Sequence, residues 1–217
     1  MDPKTGRGIR KGLTQSQVLN EAFAIVDADG PDALTMRALA ARLSVAPMAL
    51  YNHFRDREAI LNALAVMVFE NLAAQSPYGT KQKTSRRGWR LRLRQIMLTA
   101  ETFASQHPHL YRLAMTHPNK PAVGFQLAAE ALNLLADAGL SRTEALNAFH
   151  AFVLMMHGYP HWRDGFDSHN EAFAGECPNP EEQFAASVDW LLKAASTMAK
   201  QKAPAKNRGL RKANRRL

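Results

Sequence analysis

The chain has 217 residues, 46% of them hydrophobic, and a formal net charge of +9. That length buries roughly 70% of the surface an unfolded chain exposes, so no disulfide or metal staple is needed to hold a core. Cys177 is the only cysteine, which excludes an internal disulfide and suits a reducing setting. No apolar run reaches the roughly 18 residues of a membrane span, and no charged-then-apolar leader opens the chain. A soluble, cytoplasmic protein without a membrane partner is expected. The charge is uneven. Residues 200–217 carry eight Lys and Arg and no acid, and residues 1–11 carry four against Asp2, which leaves the body near neutral. Basic ends on a neutral body suit a polyanion, most simply nucleic acid, and equally suit solvated tails.

Helix punctuation recurs along the chain and strand signals are almost absent. "TQSQ" (Thr14 to Gln17) is a capping box ahead of Val18, Leu19, Ala22, Phe23 and Val26 at helical spacing, and Gly30 supplies the stop. A second helix opens at Thr35 with Leu34 and Leu39 as a hydrophobic staple and runs through Leu43. A third spans about residues 47–54, and a fourth follows the cap Asp56 with Ile60, Leu61, Leu64, Val68 and Leu72 on one face. "SPYGTKQKTSRRG" (76–88) is polar, basic and aperiodic, and reads as a linker. Trp89, Leu93, Ile96, Ala100 and Phe103 then mark a long helix ending near "HPH", and a short helix covers about 110–115 before "THPNKP". The next helix spans about 122–138 and stops at Gly139. "SRTE" (Ser141 to Glu144) is a second capping box, opening a helix to about Arg163, followed by a long loop to Asn179. Asn179 caps the last helix, with Pro180 at its first position and Glu181 and Glu182 in its first turn. The fold class is all-α. The expected organisation is a basic arm (1–13), a helix-turn-helix head with a connecting helix (14–75), a linker (76–88), a larger helical body (89–199) and a basic tail (200–217).

The third helix carries the chemistry. Leu50 and Phe54, four apart, share the face that anchors it, which turns Met48, Ala49, Tyr51, Asn52 and His53 outward. Two turns are too few to be stable alone. Two short helices joined by a tight turn in a three-helix head form a helix-turn-helix, whose second helix lies in the DNA major groove. Tyr and His donate to phosphates, Asn pairs with adenine, and Ala or Met touches a thymine methyl. The plainer alternative is a connector helix with solvated polar residues.

"ALTMRALAARLSVAPMALYNHFRDREAIL", residues 33–61, resembles the DNA-binding head of the tetracycline-repressor (TetR) family, and with the first helix the resemblance covers residues 14 to about 61. It implies phosphate contacts from Thr35 and Arg37 on the second helix, from Tyr51 and His53 on the third, and from Arg57 at the start of the fourth, where the family usually has lysine. Pro47, Met48, Ala49 and Asn52 complete the candidate DNA-binding set. Two positions depart from the family pattern: Ser44 stands where glycine is common and Ala46 where serine or threonine is. Ser44 is expected to hold a positive φ at about 1 kcal/mol, and Ala46 to forgo a cap worth about 1 kcal/mol.

The body resembles the tetracycline-repressor subgroup more weakly, through "HPHLYRLAMTHP" and "AGLSRTEALNAFHAFVLMMHGY" (138–159). The resemblance implies a body that binds a small hydrophobic or amphipathic effector and pairs two subunits as a homodimer. Trp89, Met97, Phe103, His107, Met115 and His150 are the candidate ligand-binding residues. Phe149, Phe152, Val153 and Met156 of one helix and Phe184, Val188, Leu191 and Ala195 of the last, whose spacing with Met198 is that of a narrow coiled-coil seam, are the candidate dimer interface. The expected function is that of a transcriptional regulator, a repressor, that binds a palindromic operator in double-stranded DNA and is released by the effector.

Two rivals stand beside it: an effector-free DNA-binding repressor, and a metal-binding or enzymatic helical protein. His150, His157 and His161 lie within about 40° on a helical wheel, and His157 and His161 have ligand spacing. Pro160 sits between those two, and no acidic ligand is near in sequence. No metal and no cofactor is therefore expected. Cys177 has no catalytic signature around it, and no glycine-rich phosphate loop or dinucleotide fingerprint occurs. No catalysis is assigned.

Overall fold

The structure, a computed structural model, describes residues 12–75, 88–119, 121–169 and 179–201, apart from the side chains of residues 161, 164–169 and 201. Most of the basic arm, the linker and the basic tail lies outside the described residues, as do Cys177 and the His161 side chain. Every regular element among the described residues is helical: α1 (Gln15–Asp29), a 3-10 turn (Pro31–Ala33), α2 (Met36–Arg42), α3 (Pro47–Tyr51), α4 (Arg57–Gln75), α5 (Trp89–Gln106), α6 (Pro108–Thr116), α7 (Ala122–Asp137), α8 (Arg142–His169) and α9 (Pro180–Gln201). The all-α class follows. The chain forms two compact units. One combines the residues up to Val68 with the segment beginning at His107; the other runs from Phe69 to Gln106 and resumes at Pro121.

In the first unit the helix ends are built as the side chains dictate. Thr14 Oγ1 accepts from the Gln17 N–H at 3.3 Å while the Thr14 N–H donates to Gln17 Oε1 at 2.9 Å, a reciprocal capping box. Gly30, at φ 83°, donates its N–H to the Val26 carbonyl and ends α1. Thr35 Oγ1 accepts from the Ala38 N–H at 3.0 Å and starts α2. At the other end of α2 the Ser44 N–H bonds the Ala41 carbonyl and the Val45 N–H bonds the Ala40 carbonyl, at 3.1 and 3.0 Å. That pair is a Schellman closure, which requires a left-handed residue between, and Ser44 supplies it at φ 54°. The serine bears the strain expected of it, and Ala46 makes no side-chain cap at the start of α3.

The third helix is shorter than its pattern predicts. It ends at Tyr51, because the His53 and Phe54 N–H groups both close back on the Leu50 carbonyl at 2.9 Å. Leu50 and Phe54 remain its anchors, both buried with Val18, Ala22, Val26, Leu39, Ile60 and Leu64 in the first unit's core. α4 begins as predicted, with Asp56 Oδ1 accepting from the Ala59 N–H at 2.7 Å.

The sequence reading assigns α6 to the body; the structure groups it with the head. α6 packs on α1 and on the 3-10 turn and buries Leu110, Tyr111, Leu113 and Ala114, and burial pushes the Tyr111 phenol up. His107, just ahead of α6, places Nδ1 2.9 Å from the Asp27 carboxylate and meets the edge of Phe23 at 5.4 Å. His117, just after it, is buried and sets Nε2 3.1 Å from Glu58 Oε1 of α4. These contacts are long-range in sequence, which is why periodicity alone misplaced the helix.

In the second unit α5 packs on α7, α8 and α9. Charged pairs tie these helices: Arg92 to Glu130 of α7, and Arg94 Nε to Asp189 Oδ1 of α9 at 2.8 Å. Toward one end, buried Glu101 accepts from Ser105 Oγ at 2.5 Å, Ser105 Oγ accepts in turn from Arg163 Nη1, and Arg163 lies 3.7 Å from Glu101. Tyr159 beside them donates to the Pro180 carbonyl; burial first, and then the Glu101 charge, push its phenol up to about 12. α8 continues to His169, past the expected end near Arg163, with Pro160 inside it. Proline removes one hydrogen bond of the helix ladder. Packing of α8 on α5, α7 and α9 supplies what the local sequence lacks.

One side chain ties the start of α4 back to the start of α2. Arg57 Nε donates to the Leu34 carbonyl and Nη2 to the Pro31 carbonyl, both at 2.7 Å. Hydrogen bonds to a charged donor are worth about 1.5–3 kcal/mol each when buried, less at partial exposure. Arg57→Ala is expected to destabilise the protein by about 1–3 kcal/mol in chemical denaturation, and Arg57→Lys by less than that. An unchanged midpoint for Arg57→Ala would show that these bonds contribute nothing.

Candidate nucleic-acid interface

The outer face of the α2–turn–α3 segment gathers nearly all the candidate DNA-binding residues. Pro47 fixes the first turn of α3, and Leu50 points inward, fully buried. Met48, Tyr51 and Asn52 then share the opposite face by their three- and four-residue spacing; Met48 is 75% exposed and Tyr51 46%. Asn52 is exposed, and Ala49 and His53 are half-buried. On α2, Thr35 and Arg37 are exposed. The Thr35 oxygen is engaged in capping, which leaves its hydroxyl hydrogen to donate outward. Arg42, further along α2, is held by Glu21 of α1 at 2.5 Å.

Arg57 is the exception. Two of its three guanidinium nitrogens bond the Leu34 and Pro31 carbonyls, and its side chain is only 38% exposed. Those bonds give Arg57 a structural role, with two nitrogens of its fork already on backbone oxygens. Sequence reasoning passed over Arg55. It follows Phe54 directly, its side chain is 81% exposed, and its one described ionic partner is the adjacent Asp56 at 3.1 Å. The signal was a second arginine two positions from the first, one on each side of the α4 cap.

The candidate ligand-binding residues are divided between the two units. Trp89, Met97 and Phe103 are buried along α5 in the second unit. His107 and Met115 belong to the first unit, where His107 is occupied with Asp27. His150 is exposed on α8. The paired stripes expected between subunits lie largely inside one chain: Phe152, Met156, Phe184, Val188 and Ala195 are core residues, Phe149 and Val153 are half-buried, and Leu192 rather than Leu191 continues the buried stripe of α9. The reason is that α9 packs this stripe on α5 and α8 of its own chain. What remains outside is another apolar face, with Leu154 72% and Trp190 77% exposed. Between α8 and α9 on that side lies a shallow depression of about 520 Å³ lined by Ala151, Met155, Gln183, Ala186, Ser187, Trp190 and Leu191.

His157 Nδ1 lies 2.8 Å from the Val153 carbonyl of its own helix, so that nitrogen serves the backbone. Among the described residues no three His, Cys, Asp or Glu side chains are placed to hold a metal ion, and no helix is long and apolar enough to cross a membrane.

Comparison with known proteins gives a family match in the head and broader likenesses beyond it. Residues 18–64 match the family described as bacterial regulatory proteins, tetR family. The chain is 34% identical over 144 residues to the class A tetracycline repressor protein from transposon 1721 of Escherichia coli, across 63% of this chain and 60% of that protein. It is 26% identical over 156 residues to the HTH-type transcriptional repressor DrrR1 of Streptomyces coeruleorubidus, across 72% of this chain and 54% of that one. The chain thus spans little more than half the length of those two relatives. Among solved structures, a TetR variant from Acinetobacter baumannii in complex with minocycline superposes with a TM-score of 0.64 at 24% identity, over 86% of this chain and 98% of that one. ActR of Streptomyces coelicolor, in its apo form, does so at 0.66 and 19%, over 88% and 99%. These likenesses show the fold. A Schellman turn closed by Ser44, a five-residue α3 anchored by Leu50 and a family match over residues 18–64 coincide in one segment, and that head is of the kind found in the tetR family of bacterial regulatory proteins.

Proposed function

We propose that the protein is a transcriptional repressor that binds a palindromic operator as a homodimer and leaves it when a small hydrophobic or amphipathic molecule occupies the body. The observation that carries this reading is the outward face of α3. A short helix anchored by one buried leucine exposes Met48, Tyr51 and Asn52 together, and it is flanked by the cations Arg37 and Arg55. Phosphates hold such a head in register and base edges specify the sequence. Tyr51→Phe and Arg55→Ala are expected to weaken binding by a similar factor on every operator variant, with a shallower salt dependence for Arg55→Ala. Fluorescence anisotropy on a small operator library at two salt concentrations checks both. A change of sequence preference in Arg55→Ala would assign that side chain to base readout.

A palindrome needs two heads about 34–36 Å apart, one turn of DNA. The outer face of α8 and α9, with Leu154, Trp190, Met155 and Leu191, supports pairing with a second copy, since a contiguous apolar face of this kind marks an association surface. Trp190 is the natural anchor, because tryptophans at interface centres are worth about 2 kcal/mol or more. Trp190→Asp is expected to convert a dimer into a monomer in sedimentation velocity while the helical circular dichroism is unchanged. A wild-type monomer at micromolar concentration would remove the paired-head reading.

Effector release is supported by the relatives. The minocycline complex shows a small molecule bound by a protein of this fold, and ActR is likewise known in complex with (S)-DNPA. A ligand displaces DNA only by preferring a shape the operator disfavours, with coupling of about 1–3 kcal/mol, or roughly 5- to 150-fold. α4, one continuous helix leading from the core of the head, is the route. Coupling is reciprocal, so calorimetric titration of a candidate effector with and without operator is expected to give affinities differing by that factor. Equal affinities would leave an effector-free repressor as the better description.

A further inference from the structure

The residues available to read bases in this head are chemically one-sided. From Ser44 to Phe54, the turn and all of α3, there is no Arg, Lys, Gln, Asp or Glu. Guanine presents two acceptors in the major groove, and its specific reader is a two-donor cation; cytosine presents a donor that is read by a carboxylate. α3 has neither. What α3 and the two residues after it offer is a thioether, a half-buried alanine methyl, a phenol, a carboxamide and a half-buried imidazole, whose two nitrogens point apart and cannot form a two-donor fork. A thioether and a methyl suit the thymine methyl, and a carboxamide bonds adenine N6 and N7 together. Met48 and Asn52 are four apart on the face opposite buried Leu50, about 6 Å along the helix axis. That is close to two base-pair steps of about 3.4 Å each, so one face reaches nearby pairs within a single half-site. The described arginines near it are otherwise placed. Arg42 is held by Glu21, Arg57 by the Leu34 and Pro31 carbonyls, and Arg55 stands beyond the C-terminal end of α3. Arg37, exposed in the first turn of α2, is the remaining cation near this face, and it stands on α2 rather than on α3.

We infer that the operator half-site carries A·T pairs beneath α3, read by Met48 against a thymine methyl and by Asn52 on a neighbouring adenine. This rests on the DNA-binding reading above, and the test separates the two. Duplexes enriched from a random pool by the full chain are sequenced first. The half-site is then rebuilt with deoxyuridine for single thymines, which keeps pairing and removes only the methyl, or with 7-deazaadenine for single adenines, which removes N7.

Enriched half-sites are expected to share an A·T block. Deoxyuridine at one position is expected to weaken wild-type binding about fourfold, as for one buried methyl-sized group, and to leave Met48→Ala unaffected. 7-Deazaadenine at a nearby position is expected to weaken wild-type binding about fivefold or more, and to leave Asn52→Ala unaffected. Met48 is 75% exposed and Asn52 is exposed, so neither variant disturbs the core. Enriched half-sites with G·C at their centre, or tight binding that ignores both base analogues, would overturn this inference while keeping DNA binding. Failure to enrich any sequence would overturn the DNA-binding reading and this inference with it.

Discussion

A helix of five residues has no stability of its own: it closes barely one turn, and nucleation alone is unfavourable. The conformation of α3, and so everything the head presents, depends on burying Leu50. That side chain is fully enclosed by the first unit's core, and its carbonyl receives both the His53 and the Phe54 N–H. The turn before it and the arginine after it complete the constraint. Ser44 accepts a left-handed backbone so that α2 ends where α3 must begin, and Arg57 binds the carbonyls that lead into α2. With those three fixed, Met48, Tyr51 and Asn52 have one direction left to point.

The same division, apolar inward and chemistry outward, explains why Arg57 and Arg55 stand in different surroundings. Both flank the α4 cap, but only Arg57 lies within reach of two backbone oxygens, the Leu34 carbonyl and the Pro31 carbonyl, the latter also accepting the Leu34 N–H. A guanidinium there adds charge-assisted hydrogen bonds to carbonyls at the entry to α2, which are worth more than a solvated surface charge. Arg55, with no such neighbour among the described residues, keeps its charge in solvent, where it can meet a polyanion.

In the second unit, packing within one chain decides what is left for a partner. α9 turns Phe184, Val188, Leu192 and Ala195 onto α5 and α8, and Arg94 of α5 pairs with Asp189 at the rim of that contact. Trp190 is then left outside, between the buried Val188 and Leu192, and Leu154 likewise between the buried Phe152 and Met156 of α8. Glu101, Ser105, Arg163 and Tyr159 form a polar cluster toward one end of that unit, each with a hydrogen-bond or ionic partner, which suits a device that sets helix register rather than one that adds stability.

The sequence by itself determined the elements that depend on neighbours in the chain. The capping boxes at Thr14 and Ser141, the stops at Gly30 and Gly139, the positive φ of Ser44 and the Leu50 anchor are local in cause, and each is read from a few adjacent residues. The head motif is dense for the same reason. Tertiary structure alone decided what depends on distant residues: that α6 joins the head through Asp27 and Glu58, that Arg57 serves the backbone, that α8 continues through Pro160, and which stripe of α9 faces inward. A four-three spacing cannot say whether its apolar face meets the same chain or another copy, because burial stabilises both alike. The choice falls to whichever helices the chain itself brings within reach, and in this protein those are α5 and α8.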